Sequence, residues 1–411
     1  MKLSRRSFLY RSAFASAAFV AAPAVIRQGA IASDAIRLGS LHDQSGPLAA
    51  SGVSMVHALN LAVEEINAGG GLLGRPVEVV HYDTQSNMQL YSQYAQQLAL
   101  KDKVAVVHGG ITSASREAIR PTFDRFKVPY FYNVLYEGGV CDRNTICTGT
   151  TPAQTVEKLV PAAMKTSGKK VYVIAADYNY GQITAKWMTK YVKDNGGEVL
   201  SVDFFPLDVT NFGPTISKIQ AAKPDLLLSA LVGGNHTSFY RQWASTGMQG
   251  QIPIASTTFG LANEPASLDA VESDNVLGAY GYFEELDTPA SRAFVSKIRA
   301  AHPDAPYISE LVATTYEGVH LWAEAVKKAG SLDRQNLLDA LESGLSIDGP
   351  SGKVTIDKST HHTVRNAFLA EMKDKKWSVL ESYPEVAPAD TASVCDLVRN
   401  PNDTRQYVIN L

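Results

Sequence analysis

Three cysteines in 411 residues exclude a disulfide-dense scaffold, and no histidine stands near them in sequence to suggest a zinc site. No apolar run reaches transmembrane length after the first thirty residues. Neither a G-x-S-x-G elbow nor a Walker loop occurs, so the usual nucleophile and phosphate cradles of enzymes are missing, and the reading is a non-enzyme. No cofactor is called for. An excess of positive charge is missing too. Five of the 38 basic residues precede Asp34 and none of the 41 acidic ones do, so from Asp34 onward 33 basic face 41 acidic residues, a net of −8. That balance carries no nucleic-acid footprint.

What is present is a globular composition, 45% hydrophobic and 19% charged, with a length that suggests two domains. Residues 1–32 have the features of an export signal. Ser4-Arg5-Arg6-Ser7-Phe8-Leu9 resembles the twin-arginine pattern, Ala13 to Ile26 is small and mildly apolar, and Ala30-Ile31-Ala32 offers a cleavage site. The expectation is a mature protein exported to the periplasm through the twin-arginine machinery. Cys141 and Cys147 flank the polar loop DRNTI and could pair across it, with Cys395 left free or exchanged with either.

The organising stretch is VAVVHGGITSASR, Val104 to Arg116. A β-branched run suits a buried parallel strand. Gly109-Gly110 allows a sharp turn, and Ser113 or Ser115 can cap the helix whose apolar positions are Ala118, Ile119 and Phe123. Strand and helix then alternate along the chain, which predicts an α/β protein with parallel sheets covered on both faces. The pattern restarts near Thr148–Pro152, giving a second unit of similar design. After Gly352 the reading is two strand-like segments, Lys353–Ile356 and Ala367–Lys373, then an irregular Pro-rich tail. His361-His362 reads as a solvated turn, and Glu284-Glu285 as surface.

Turns rich in hydroxyls, aromatics and glycine recur at strand ends: Thr112-Ser113, Tyr132 to Glu137, Asp177 to Gly181, Gly233-Gly234-Asn235 and Thr257-Thr258-Phe259. A cleft between two lobes would collect them. Aromatic walls with a few polar groups suit a small neutral ligand.

The runs TSASREAIRPTFDR, YFYNVLYEGGVC with TGTTPAQ, and ADYNYG resemble the binding components of urea and short-chain amide ABC transporters. The opening LGSLHDQSGPLAASG with LNLAVEEINAGGGLLGRPVEVV is similar to the wider type I periplasmic binding proteins, which include branched-chain amino acid receptors. The resemblance covers roughly residues 36–375. It implies two doubly wound parallel-sheet lobes joined by crossover hinge strands near Thr151, Phe283 and Gly349. The first lobe would hold 33–151 plus 284–349, and the second 152–283 plus 350–411. It also implies a ligand site from Thr112, Ser113, Tyr132, Val134 and Tyr136 of the first lobe and Tyr178, Tyr180, Gly233 and Thr258 of the second. The partners would be a permease and ATPase at the inner membrane. Asn133 and Gly181 stand where such relatives usually carry Pro, and Leu135 where they often carry Gln. The alternatives are an amino-acid receptor, for which Glu137 could meet the ligand ammonium, and an amide-sensing domain.

Overall fold

The computed structural model describes residues 35–410. The export-signal reading falls on residues 1–34, outside the described residues.

The first half of the chain runs β1 (Ile36–Leu41), α1 (Ala49–Ala68), β2 (Val77–His81), α2 (Met88–Gln97), β3 (Val106–Gly109), α3 (Ser113–Phe126), β4 (Tyr130–Tyr132), β5 (Val140–Asp142) and β6 (Thr145–Cys147). The next unit runs α4 (Val156–Ser167), β7 (Lys170–Ala176), α5 (Asn179–Asp194), β8 (Glu198–Phe205), α6 (Gly213–Ala222), β9 (Leu226–Ala230), α7 (Gly234–Ser245) and β10 (Ile254–Ser256). Two short helices follow, α8 (Glu264–Ser267) and α9 (Ala270–Ser273), then β11 (Val276–Tyr280), α10 (Pro289–Ala301), α11 (Glu310–Ala329) and α12 (Arg334–Glu342). The end of the chain is β12 (Ser346–Gly349), β13 (Gly352–Ile356), β14 (Thr363–Lys373), β15 (Lys376–Val386), α13 (Ala389–Ala392) and β16 (Thr404–Gln406).

One sheet has the order β2-β1-β3-β4-β6 and is parallel throughout. The second centres on parallel β8-β7-β9-β10-β11 and is extended by antiparallel β14, β15, β13 and β12. These are the two α/β lobes. Strands buried on both faces need apolar side chains on both, which β9, LLLSA, supplies without an exposed position. α11 returns to the first lobe, where Val319, Trp322 and Val326 share a core with Leu59, Val63 and Ile66 of α1.

The connections between lobes pass close to α11, and two of its carboxylates hold them. Glu310 Oε1 accepts the Thr150 amide at 2.9 Å and hydroxyl at 2.7 Å, while its Oε2 accepts the Gly281 amide at 2.7 Å. Glu317 accepts the Ser351 amide at 3.1 Å and Arg365 Nη2 at 3.0 Å.

The sequence-based expectations need correction at four places. Cys141 pairs with Cys395, and Cys147 is a buried free thiol. The DRNTI segment is not a loop between pairing partners: Cys141 lies on β5, which pairs with β16, whereas Cys147 lies on β6, which pairs with β4. β16 thus carries the end of the 350–411 range back to β5 of the first-lobe segment. The tail also contains a full strand, β15, because Asp374 and Lys375 take φ of 50° and 64° and close a tight hairpin without glycine. His361 and His362 are buried rather than solvated. His361 Nε2 lies 3.0 Å from Glu342 Oε1, and the other ring meets the Tyr136 hydroxyl. Glu285 is half-buried too, accepting the Trp377 amide at 3.0 Å and the Tyr307 hydroxyl at 2.7 Å.

Candidate ligand cavity

A cavity of about 190 Å³ lies where the two lobes face each other. The two lobes also touch each other directly. Trp187 Nε1 of α5 donates to the Glu137 carbonyl oxygen at 3.0 Å, from the second lobe to the first. Gly233 approaches Leu48 so closely that an added Cβ would stand 3.6 Å from Leu48 Cδ2.

Four of the longer helices begin at this cavity. The N-cap residues of α1, α3, α5 and α7 are Leu48, Thr112, Tyr178 and Gly233, and all four line it. The reason is the βα design: each helix starts just beyond the carboxyl end of its strand, on the side where such sheets leave a crevice. Thr112 shows the local logic. Its hydroxyl accepts the Ser115 amide at 3.0 Å, and Ser115 Oγ accepts the Thr112 amide at 3.1 Å, a reciprocal cap that fixes the turn. Gly233 has φ of 76°, which a side chain would disfavour. Gly181 is required for a different reason: a Cβ there would lie 2.0 Å from the Ala176 carbonyl oxygen. A close packing of α5 on the end of β7 needs hydrogen at that position.

Of the nine residues expected from sequence, Thr112, Ser113, Tyr132, Val134, Tyr178, Tyr180, Gly233 and Thr258 line the cavity. Tyr136 is not among the lining residues. Its hydroxyl meets His362 Nε2, and its ring lies under Arg116, with the guanidinium carbon 4.4 Å from the ring centre. Tyr132 is fixed by its hydroxyl donating to the Ile111 carbonyl at 3.1 Å. Tyr180 lies 2.8 Å from the Thr257 hydroxyl. Burial pushes all three lining tyrosines well up from their ordinary range, so each keeps its phenolic proton. Burial lowers His236, whose Nε2 is 3.0 Å from Thr258 Oγ1, so a neutral imidazole borders the site.

Sequence reasoning missed Glu264, Leu48, Ser51, Leu261 and Leu311, which also line the cavity. Glu264 is the only carboxylate among the lining residues. Its Oε2 accepts the amides of Gly260 at 3.2 Å and Ala262 at 3.0 Å. Its one sequence signal was an acid just before Pro265, opening a short helix past the end of β10. Glu137, the acid expected to meet an ammonium, is absent from the lining. Its carboxylate is committed to Arg116 Nη2 at 2.9 Å, to the Ser113 hydroxyl and to Gln406. Among the described residues no lysine or arginine lines the cavity. Among the described residues no cluster of side chains could hold a metal ion. Gly69 to Gly74 has the spacing G-x-G-x-x-G, but it follows α1 and precedes β2, the reverse of a strand-to-helix phosphate cradle.

Residues 35–376 match the model of the periplasmic binding protein family. The chain belongs to that family. The binding protein is 26% identical over 386 residues to "Leu/Ile/Val-binding protein homolog 7" of Brucella suis biovar 1 (strain 1330), across 89% of this chain and 95% of that one. It is 24% identical over 348 residues to "Leu/Ile/Val-binding protein homolog 6" of Brucella abortus (strain 2308), across 83% and 88%. Two solved structures share the fold. One is an ABC transporter solute-binding protein from R. palustris in complex with 4-hydroxybenzoate, at TM-score 0.79, 23% identity and coverage of 88% of this chain and 100% of that one. The other is a branched-chain amino acid transporter substrate-binding protein from Streptococcus pneumoniae in complex with isoleucine, at 0.74, 23%, 85% and 99%. Among the described residues no helix is long and apolar enough to cross a membrane.

Proposed function

We propose that the binding protein is the solute receptor of an ABC importer in the periplasm, and that its ligand is an amino acid with a branched or aromatic side chain. The observation that carries this is the polarity of the cavity lining. Four helix N-termini and one carboxylate, Glu264, border a single apolar space. Helix N-termini favour an anionic group, each carrying roughly half a positive charge. A carboxylate favours a cation or a strong N–H donor. A zwitterion answers both, and its side chain fills the apolar remainder between Leu48, Ile111, Val134, Leu261 and Leu311. The size agrees: an apolar protein cavity of roughly 150 Å³ holds benzene, and this one is somewhat larger. The similarity to Leu/Ile/Val-binding homologues supports the same class.

Isothermal titration with leucine, isoleucine, phenylalanine, benzoate, 4-hydroxybenzoate, urea and acetamide tests this. The expected result is tightest binding of one of the amino acids. Glu264→Gln should weaken that binding by about tenfold to a hundredfold, the scale of a charged hydrogen bond. Tighter binding of a benzoate or an amide, or an unchanged affinity in Glu264→Gln, would refute the assignment.

The second reading is urea or a short-chain amide. The hydroxyls of Ser51, Thr112, Ser113 and Thr258, and a lining without lysine or arginine, favour it. Against it stands the lining, in which Leu48, Ile111, Val134, Leu261 and Leu311 present apolar surface that urea has no apolar group to meet. Leu135 makes that wall apolar as well.

A further inference from the structure

Ser113 is the buried hydroxyl at the start of α3, and it lines the cavity. Three side chains reach it, Glu137, Arg116 and Tyr132, and the Tyr132 hydroxyl gives its own proton to the Ile111 carbonyl. The hydroxyl meets Glu137 Oε2, and Arg116 Nη1 lies 3.4 Å from Ser113 Oγ. A guanidinium only donates, and an ionised carboxylate only accepts. The Ser113 proton therefore goes to Glu137, and Ser113 Oγ turns only lone-pair density towards the cavity.

Glu137 is held in turn. Its Oε1 accepts Arg116 Nη2 at 2.9 Å and the Gln406 side-chain amide. Gln406 is the last residue of β16, which pairs with β5, and the Tyr407 amide donates to the Gly139 carbonyl at 2.7 Å. The Cys141–Cys395 bond ties the same tail to β5. This tail lies beyond residue 376, where the match to the family model stops.

We infer that Glu137, braced by Gln406 from the C-terminal tail, is a positioning residue that makes Ser113 an acceptor only, so the site selects ligands that present an N–H or O–H there. The inference rests on the reading of the cavity as the ligand site and deepens it. An ammonium or amide nitrogen meets Ser113 Oγ, and a carboxylate or carbonyl oxygen at that point is repelled, so the ligand carboxylate is left to the N-termini of α1, α5 and α7.

Glu137→Gln inverts the arrangement. Two donors, from Arg116 and Gln406, face the Oε1 position, so the new carboxamide turns its oxygen towards them and its NH2 towards Ser113. The Ser113 proton is then released towards the cavity. Titration compares leucine with 4-methyl-2-oxopentanoate, which replaces the ammonium by a carbonyl oxygen. The preference for leucine is expected to fall about tenfold or more in Glu137→Gln. Ser113→Ala, which keeps the Arg116–Glu137 pair, is expected to weaken leucine and, with the repelling lone pairs gone, to leave the oxo acid unchanged or bound more tightly. Equal changes for both ligands in both variants overturn the inference. A neutron structure of the deuterated ligand-free protein decides it independently of any ligand. Deuterium between Ser113 Oγ and Glu137 supports it, and deuterium pointing into the cavity overturns it. If wild type bound neither probe while the neutron map showed the expected proton, the amino-acid assignment would fail and the acceptor-only serine would stand.

Discussion

Gly181 shows how a single hydrogen atom places part of the ligand site. It lies in the first turn of α5, directly after Tyr180, and its Cα faces the end of β7 with no room for a methyl group. The obstacle is a backbone carbonyl, which cannot rotate away as a side chain could. Gly181→Ala should therefore displace the start of α5, moving Tyr178 and Tyr180 with it. The expected outcome is a loss of about 1–3 kcal/mol in stability, the usual scale of overpacking, together with weaker ligand binding. Denaturant titration and calorimetry on the same sample check both; unchanged affinity would mean that the α5 end of the cavity does not contribute. At this scale the sequence was informative where a residue's reason is local. Thr112, Ser113 and Gly233 were legible because hydroxyl-rich and glycine turns at strand ends have recognisable chemistry, although the cap of α3 is Thr112 and not Ser113 or Ser115 as expected. Glu264 was not, because its role comes from where the segment after β10 folds back, and nothing within a few residues encodes that. Tyr136 shows the converse: it belongs to the same run as Tyr132, yet four more peptide units carry its ring away from the cavity and under Arg116.

Among the elements, the short ones decide the outcome. The repeated βα units were legible from their apolar runs and caps, since a long periodic pattern has few alternatives. The tail was not. β15 mixes polar and apolar residues without a regular period, contains Pro384 and is mostly exposed, and β16 has only three residues, too few to carry a period. What fixes the tail is non-local: the pairing of Arg405 with Cys141 in register, the Arg120 Nη1 bond to the Thr404 carbonyl at 2.6 Å, and the disulfide. Closing a loop of 254 residues restricts the unfolded chain strongly. Cys395→Ser is expected to cost about 2–5 kcal/mol in unfolding free energy. Because the same tail places Gln406 against Glu137, this variant should also bind ligand more weakly than its residual stability alone would require. Denaturant melts of oxidised and reduced wild type beside the variant give the first figure. Equal stability of all three would show that the tail is held without the disulfide.

Over the whole molecule, the buried histidines make stability depend on pH in a definite direction. Burial lowers His108 to about 3 and His362 to about 4, and it lowers His42 and His236 as well. A histidine held neutral in the fold takes up its proton only on unfolding once the pH is below about 6.5. Each such group stabilises the fold fully above that pH and progressively loses the contribution as the pH falls. Asp390 works the other way. Burial raises it to about 6, so its folded carboxyl binds a proton that the unfolded one does not, and its contribution is lost as the pH rises through 6. At pH 5 unfolding takes up about one proton at each of His108 and His362 and releases about one at Asp390. The net uptake is about one proton before His42 and His236 are counted. Each net proton is worth about 1.4 kcal/mol per pH unit. The melting temperature is therefore expected to fall from pH 7 to pH 5, and to fall more steeply in Asp390→Asn, where the opposing group is gone. A flat or rising profile in wild type would mean that these imidazoles are already charged in the fold. In that case the core around His108 and His362 would have to open to water, and the contact of His362 with the Tyr136 hydroxyl would be lost with it.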